Sequence, residues 1–195
     1  SQDRLQHGHP DTAESFSNLG IAQMNGNDID AACRSFTTAA VKFGQSHLGA
    51  AKNYNLLGRA LCQAKRLDLA MESLEMSFAV RLQVLGPLHV DTVDTFNNIA
   101  GVYFKQHNNF EAARCYREVL TLRQAIFGLN HPSIAVTARD LARTCIRLDL
   151  KDEAQELYSL AMSTCESTTT MRHMKADLET EMTKRGIQER LCIEL

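Results

Sequence analysis

Large and small apolar residues follow one another along the chain at helical spacing, and the pattern returns about every 42 residues. Each copy contains an apolar residue followed at once by a small one, and a residue three positions earlier lies on the same helical face. This arrangement predicts an amphipathic first helix in each copy, with a small residue where another helix approaches closely. The apolar–small pairs are Leu19-Gly20, Leu57-Gly58, Ile99-Ala100 and Leu141-Ala142.

A second helical pattern follows each pair after a polar turn. Alanine stands twelve residues after the small residue, a Leu or aromatic residue comes four positions later, and a smaller residue follows after three more. Steps of four and three keep these side chains on one helical face, so each copy is predicted to be two helices packed on each other. The large residues of the second helices are Phe36, Leu74, Tyr116 and Tyr158.

A stop-and-restart signal separates the copies. The glycine after each Phe or Leu is expected to end a helix in the left-handed conformation. Asp11, Asp91 and Ser133, each two residues after a histidine, are expected to cap the next helix, and Pro10 and Pro132 suit a first helical turn. The signals are FGQSHLGAA at 43–51, LGPLHVDTV at 85–93 and FGLNHPSIA at 127–135.

The first copy is shorter than the others. Its histidines, His9 and His47, are 38 residues apart, whereas His47, His89 and His131 follow at intervals of 42. The difference of four residues is about one helical turn. The second helix of the first copy is therefore predicted to be one turn shorter while it keeps its apolar face.

The phrases HPDTAESFSNLG and HVDTVDTFNNIAGVYF resemble the recurring phrase of the tetratricopeptide repeat, in the 42-residue variety found in kinesin light chains and nephrocystin-like proteins. The resemblance covers residues 9–166 in four units. It implies an all-α fold, a right-handed superhelical solenoid of four helix pairs with a C-terminal capping helix. The second unit departs from the phrase, because Gly and Ala follow its histidine, and the sequence contains no heptad stalk like that of kinesin light chains.

The repeats predict an organisation of linker, units, capping helix and tail. The period is lost after Cys165, where Met171, Met174, Leu178 and Met182 form one apolar stripe that suits a helix covering the last unit. The expected boundaries are 1–8 for the linker, 9–46, 47–88, 89–130 and 131–166 for the units, 167–185 for the capping helix and 186–195 for the tail.

Composition narrows the classes of function. The chain is 44% apolar and 6% aromatic, and its net charge of −2 provides no overall field that would attract nucleic acid or a membrane. No segment approaches the ~20 consecutive apolar residues of a membrane span, and no leader opens the chain. Six cysteines without a Cys-x-x-Cys pair are expected to be free thiols in a reducing, cytoplasmic compartment. Because the first residue is Ser, we expect the chain to be a piece of a longer protein.

No constellation of residues predicts catalysis, a metal site or a cofactor. The phased histidines recur once per unit, so they are too far apart to converge on one metal ion and are interpreted as helix-start residues. The phosphate-binding, zinc-protease and serine-hydrolase motifs are missing from the sequence. We therefore predict that the protein is not an enzyme and has no cofactor or metal.

The resemblance also indicates where a ligand would bind, because the first helix of each pair lines the concave groove of tetratricopeptide proteins. Arg139, Arg143 and Arg147 share one helical stripe. They repel one another unless an anion lies across them, or unless acids such as Asp140 and Asp149 pair with them. We predict a groove that binds an extended acidic peptide or a carboxylate terminus, the alternative being a solvated charged face. The predicted peptide-binding residues are Lys52, Asn55, Arg59, Asn97, Lys105, Arg139, Arg143 and Arg147.

The predicted function is a scaffold for protein–protein interaction, whose partner is a protein or peptide and not nucleic acid or a membrane. Two alternatives remain open. One is a cargo adapter of a microtubule motor, like a kinesin light chain. The other is a regulatory module of a larger enzyme or nucleotide-switch protein.

Overall fold

The structure, a computed structural model, describes residues 10–164 together with residues 176 and 180. Residues 10–164 contain eight α-helices and no strand, which confirms the all-α prediction. The linker 1–8, the tail 186–195 and the capping helix 167–185 lie outside the described residues, apart from Ala176 and Thr180, which are helical. The helices are α1 (Pro10–Asn25), α2 (Ile29–Phe43), α3 (Leu48–Gln63), α4 (Leu67–Leu85), α5 (Val90–Lys105), α6 (Asn109–Phe127), α7 (Pro132–Arg147) and α8 (Lys151–Ser163).

The chain divides into two compact units. Unit 1 is Ser1–Gln106 and contains α1 to α5; unit 2 is His107–Leu195 and contains α6 to α8. Within unit 1 each helix packs on the next along the chain, and α3 also contacts α5. Within unit 2, α7 packs on both α6 and α8. Successive packing of neighbours is the way repeat proteins build a core, because each helix buries its apolar face against the next one.

The core of unit 1 contains the small–large contacts that the spacing predicts. A Cβ atom added at Gly20 of α1 would lie 2.6 Å from Cε1 of Phe36 on α2. At Gly58 of α3 it would lie 2.6 Å from Cγ of Leu74 on α4. Phe36 and Leu74 are almost completely buried. The small residues of α1 and α3 therefore give α2 and α4 room for their large side chains, as predicted.

The polar turns between paired helices have a common backbone conformation. Asn27, Lys65, His107 and Asp149 have positive φ angles of 63°, 60°, 62° and 61°. In the second turn, the amides of Lys65 and Arg66 donate to the carbonyls of Cys62 and Leu61, at 3.3 and 2.9 Å. These two hydrogen bonds form a Schellman motif, which pairs the last carbonyls of α3.

Histidine side chains cap the helices that follow the stop-and-restart signals. Nδ1 of His47, His89 and His131 accepts a hydrogen bond from the amide two residues later, at 2.9, 3.2 and 3.2 Å. The prediction that Asp91 and Ser133 are the caps is therefore wrong, because these residues already lie in the first turn and donate to the histidine. Pro132 occupies the first turn of α7, as predicted.

The glycines that end α2, α4 and α6 differ from the prediction in one angle. Gly44, Gly86 and Gly128 have the expected positive φ, at 85°, 83° and 77°. Their ψ angles, 143°, 173° and 178°, are extended and not left-handed helical. This combination is essentially restricted to glycine, so the residue type is required here for an extended exit from the helix and not for a left-handed cap.

Two arginines join consecutive repeats from inside. Arg81 on α4 is 6% exposed, and its Nη1 donates to the carbonyl of Asp91 at 2.8 Å and to Oγ1 of Thr95 at 2.7 Å, both on α5. Arg123 on α6 has the same partners on α7, the carbonyl of Ser133 and Oγ1 of Thr137. Burial lowers the pKa of the Arg81 guanidinium. The sequence pattern did not indicate these contacts.

Candidate peptide-binding surface

The predicted binding residues fall in both units, five in unit 1 and three in unit 2. Unit 1 holds Lys52, Asn55 and Arg59 on α3 together with Asn97 and Lys105 on α5. Lys52, Arg59 and Lys105 are exposed, and the two asparagines are half-buried. Helix α3 has no acidic residue, so Lys52 and Arg59 give it a net positive charge.

Polar contacts hold the first helices of unit 1 beside one another. Nδ2 of Asn98 on α5 donates to Oδ1 of Asn55 on α3 at 2.9 Å. The ammonium of Lys105 lies 3.4 Å from the carbonyl of Cys62, at the end of α3. The side-chain oxygen of Asn55 therefore already accepts a hydrogen bond within the protein, which leaves its amide group less available to a ligand than predicted.

Asn97 has an unused acceptor. Its Oδ1 is buried and has no hydrogen-bond partner among the residues that the structure describes. A buried carbonyl oxygen without a donor is unfavourable, and the N–H of an extended peptide is a suitable donor. Asn97 therefore differs from Asn55, whose Oδ1 already accepts from Asn98.

Unit 2 holds the three arginines of α7. Nε and Nη2 of Arg139 lie 3.0 and 2.8 Å from Oδ1 of Asp140, and the two side chains are 28% and 20% exposed. Pairing with Asp140 is one of the two possibilities that the sequence left open, and it neutralises part of the positive charge of the stripe. Arg143 and Arg147 are half-buried. Helix α7 still carries three arginines against one aspartate.

A cavity of about 330 Å³ lies in unit 1, and only one of its lining residues, Lys52, belongs to the predicted binding set. Its rim is formed by exposed side chains and its floor by Ser17 and Asn53, which are 3% and 0% exposed. Oγ of Ser17 and Oδ1 of Asn53 have no hydrogen-bond partner within residues 10–164, 176 and 180. The lining residues are Glu14, Ser17, Asn18, Phe43, His47, Gly49, Lys52 and Asn53.

Three of the described thiols, those of Cys33, Cys115 and Cys145, are poor nucleophiles. Burial raises the pKa of Cys33 and Cys115. Cys145 is buried beside the ion pair of Arg117 and Glu153, and desolvation followed by the Glu153 charge raises its pKa to about 12. Because the thiolate is the reactive form, a raised pKa makes these cysteines unreactive.

The described residues offer neither a metal-binding cluster nor a membrane-spanning helix. Among the described residues, no group of three or more His, Cys, Asp or Glu side chains is arranged to hold a metal ion. Within the same part of the chain, no helix combines the length and the apolar character that crossing a membrane requires.

Comparison with known families decides the class of the repeats. The sequence profile of the Tetratricopeptide repeat matches residues 49–113 and 91–167, which together span more than half of the chain. The chain belongs to the tetratricopeptide repeat family. Repeats of this family are generally modules for protein–protein interaction and not catalytic domains. No curated protein matches the sequence.

Solved tetratricopeptide structures share the fold at low sequence identity. BtubC (BKLC) from P. vanneervenii has a TM-score of 0.77 and 17% identity, with 91% of this chain and 74% of that chain covered. The nearly identical TPR-like repeats of a Podosopora anserina protein described as a kinesin light chain have a TM-score of 0.77 and 18% identity, with 93% and 90% covered. MamA has a TM-score of 0.62 and 18% identity, with 83% of each chain covered. These likenesses confirm the fold of the tetratricopeptide repeats.

Proposed function

We propose that this tetratricopeptide protein is a non-enzymatic scaffold that binds an extended, acidic peptide along its first helices. The observation that carries the proposal is the surface of α3, which presents exposed Lys52 and Arg59 and has no acidic residue. The unused acceptor of Asn97 lies on the adjacent helix α5. Cations for the side chains and an acceptor for the backbone are the groups that an extended acidic peptide requires.

The mechanism is binding to a surface that is already in place. The α3–α5 contact between Asn55 and Asn98 and the buried arginine contacts hold the helices before a ligand arrives. A peptide then loses conformational entropy on binding while the protein loses little, and this saving favours affinity. Charge complementarity raises the association rate and makes binding dependent on salt.

The test compares two charge reversals that have the same effect on net charge. Arg59→Glu reverses an exposed cation on α3, and Arg34→Glu reverses an exposed cation on the second helix α2. Labelled peptides rich in Asp and Glu, and the same peptides with Asn and Gln, are titrated by fluorescence anisotropy. We expect Arg59→Glu to weaken acidic-peptide binding by about tenfold while Arg34→Glu leaves it unchanged. Equal binding by both variants, or equal binding of the neutral peptides, would refute the proposal.

The arginines of α7 form a second arm of the same experiment. The double variant Arg143→Glu with Arg147→Glu reverses two of the three positive charges of the α7 stripe. Both positions are half-buried, so the melting temperature of the variant is measured beside its affinity. Weaker binding at an unchanged melting temperature would show that unit 2 has a contact of its own with acidic peptides, and unchanged binding would assign the contact to unit 1 alone.

A second candidate is a cargo adapter of the kinesin-light-chain kind. The likeness in fold to the Podosopora anserina repeats favours it. An adapter has to bind a motor as well as a cargo peptide. Co-elution of the protein with purified kinesin heavy chain would support this function, and separate elution would leave the scaffold as the proposal.

A further inference from the structure

The cavity in unit 1 lies at the one junction between described repeats that has no buried arginine. Arg81 and Arg123 stand five residues before Gly86 and Gly128, and the residue five before Gly44 is Ala39. The acceptors of those arginines are the residues two and six positions after the capping histidine. At the junction of α2 and α3 these positions are Gly49 and Asn53, and both line the cavity.

Asn53 is oriented so that it requires a hydrogen-bond donor. Its Nδ2 donates to the carbonyl of Gly49 at 2.8 Å, which fixes Oδ1 as the atom without a partner. Oγ of Ser17, on the same floor, also has no partner within the described part of the chain. In the next junction an arginine donates to the hydroxyl of Thr95, the residue at the position equivalent to Asn53. The floor of the cavity therefore lacks the group that the protein itself supplies elsewhere.

The walls of the cavity suit a planar cation. The rings of Phe43 and His47 are stacked, with centroids 5.3 Å apart and planes 3° from parallel, and both line the cavity. Guanidinium groups stack on aromatic faces and carry five N–H donors. Glu14, also in the lining, is an exposed carboxylate that can pair with a guanidinium in a bidentate geometry.

We propose that this cavity is a side-chain pocket for an arginine of the partner polypeptide, which supplies from outside the guanidinium that α4 and α6 supply to the following repeats. The inference rests on the proposed function, because it assumes that a peptide lies along the first helices. The guanidinium pairs with Glu14 at the rim, stacks beside Phe43 and directs its N–H groups toward the floor. The bound peptide thus has an arginine near α1 and acidic residues along α3.

Lys52 allows a test of whether the ligand in the cavity is positively or negatively charged. It is the only Lys or Arg among the lining residues, and its exposed side chain opposes a bound cation. An arginine ligand is bound more tightly when Lys52 is made neutral. A carboxylate ligand is bound less tightly by the same variant. The carboxylate is also disfavoured by the floor, because Oδ1 of Asn53 cannot donate a hydrogen bond to it.

The experiment titrates N-acetylarginine amide into the complete chain and follows backbone and Asn side-chain amides by NMR. We expect saturable shifts at Asn18, Gly49 and Asn53, and no comparable shifts with N-acetylcitrulline amide, which has the shape but not the charge. Glu14→Gln should weaken binding at least about fivefold, and Lys52→Gln should tighten it about threefold. Glu72→Gln, which neutralises an exposed acid on α4, is the matched control and should change nothing.

Several outcomes would overturn the pocket. They are the absence of saturable shifts, equal binding of citrulline or of N-acetyllysine amide, and weaker arginine binding in Lys52→Gln. Failure of the pocket and failure of the acidic-peptide proposal are distinguishable, because Arg59→Glu should weaken acidic-peptide binding and leave the shifts caused by the arginine probe intact. If the arginine probe binds and the acidic peptide does not, the pocket proposal stands and the acidic-peptide proposal is refuted. If the acidic peptide binds and the arginine probe does not, the acidic-peptide proposal stands and the pocket proposal is refuted.

Discussion

Nη1 of Arg81 lies 2.7 Å from Oγ1 of Thr95, and this contact joins the second helix of one repeat to the first helix of the next. Arg81 also donates to the carbonyl of Asp91 at 2.8 Å. Fourteen residues separate the two side chains, and both are buried. The contact therefore joins the two repeats from inside, with a charge that is largely shielded from water.

Removal of either partner should destabilise unit 1. We expect Arg81→Met to cost about 2–3 kcal/mol of the free energy of unfolding, because the Thr95 hydroxyl and the Asp91 carbonyl lose a charged donor. Thr95→Val should cost a similar amount, since it leaves a buried guanidinium with fewer acceptors. Urea denaturation of both single variants and of the double variant gives the coupling energy.

The control for this double-mutant cycle is Gln83→Met, two residues after Arg81 on the exposed side of α4. It should leave the free energy of unfolding within about 0.5 kcal/mol of the native value. Strictly additive losses in the double variant would show that Arg81 and Thr95 do not act together.

His89 is expected to stabilise α5 through its ring nitrogen. Nδ1 accepts from the amide of Asp91, which satisfies one of the free N–H groups at the start of the helix. We expect His89→Ala to cost about 1 kcal/mol, and His89→Asp to recover most of the loss because Asp is among the best N-caps. Thermal unfolding monitored by circular dichroism measures both changes, and equal stability of the Ala and Asp variants would contradict the capping role.

The repeat spacing made much of the fold predictable. The separation between Gly20 and Phe36 is the same as that between Gly58 and Leu74. Because each pair lies on two packed helices of similar length, the equal separation places both pairs in contact. The polar turns and the shorter α2 follow from the same count. These features were accessible because they depend on local spacing and on the size of side chains.

Other features depend on contacts that have no local signature. Histidine as a helix cap was missed because Asp and Ser rank above it at that position. The Arg81–Thr95 contact joins two polar residues that a sequence pattern assigns to the surface. The binding residues were chosen by position along a helix, and position alone does not reveal that Asn55 is engaged by Asn98, or that Ser17 and Asn53 form the floor of a cavity.

The turn at Lys65 provides a stabilising substitution. Its φ of 60° is unfavourable for a residue with a side chain, and glycine adopts it without that cost. We expect Lys65→Gly to stabilise the protein by about 0.5–1 kcal/mol, and Lys65→Val to destabilise it by at least about 1 kcal/mol, because a β-branched residue fits this region worst. Glu75→Gly, in the exposed middle of α4, should instead cost about 1 kcal/mol. Urea midpoints compare the three variants, and a destabilising Lys65→Gly would refute the assignment of strain.

The ion pair of Arg117 on α6 and Glu153 on α8 predicts how unit 2 responds to acid. Nε and Nη2 of Arg117 each donate to a different carboxylate oxygen of Glu153 at 2.8 Å. The hydrogen bond from Arg117, followed by the attraction between the charges, lowers the pKa of Glu153 from its ordinary value of 4.5. A lowered folded-state pKa means that the pair stabilises the fold above about pH 4.5 and that this contribution is lost as the pH falls through the folded-state pKa.

Glu153→Gln tests this pH dependence. The variant keeps a hydrogen-bond acceptor but has no charge, so we expect it to be less stable than the native protein by about 1 kcal/mol or less at neutral pH, since the pair is partly exposed. The gap should close as the pH falls through the folded-state pKa of Glu153, below which the native carboxyl is also neutral. Glu156→Gln, at an exposed position on the same helix, is the control. Its stability relative to the native protein should change with pH only as much as the loss of one exposed charge requires. Denaturant unfolding at each pH gives the measurement, and a gap that stays constant from neutral to acidic pH would contradict the stabilising role of the pair.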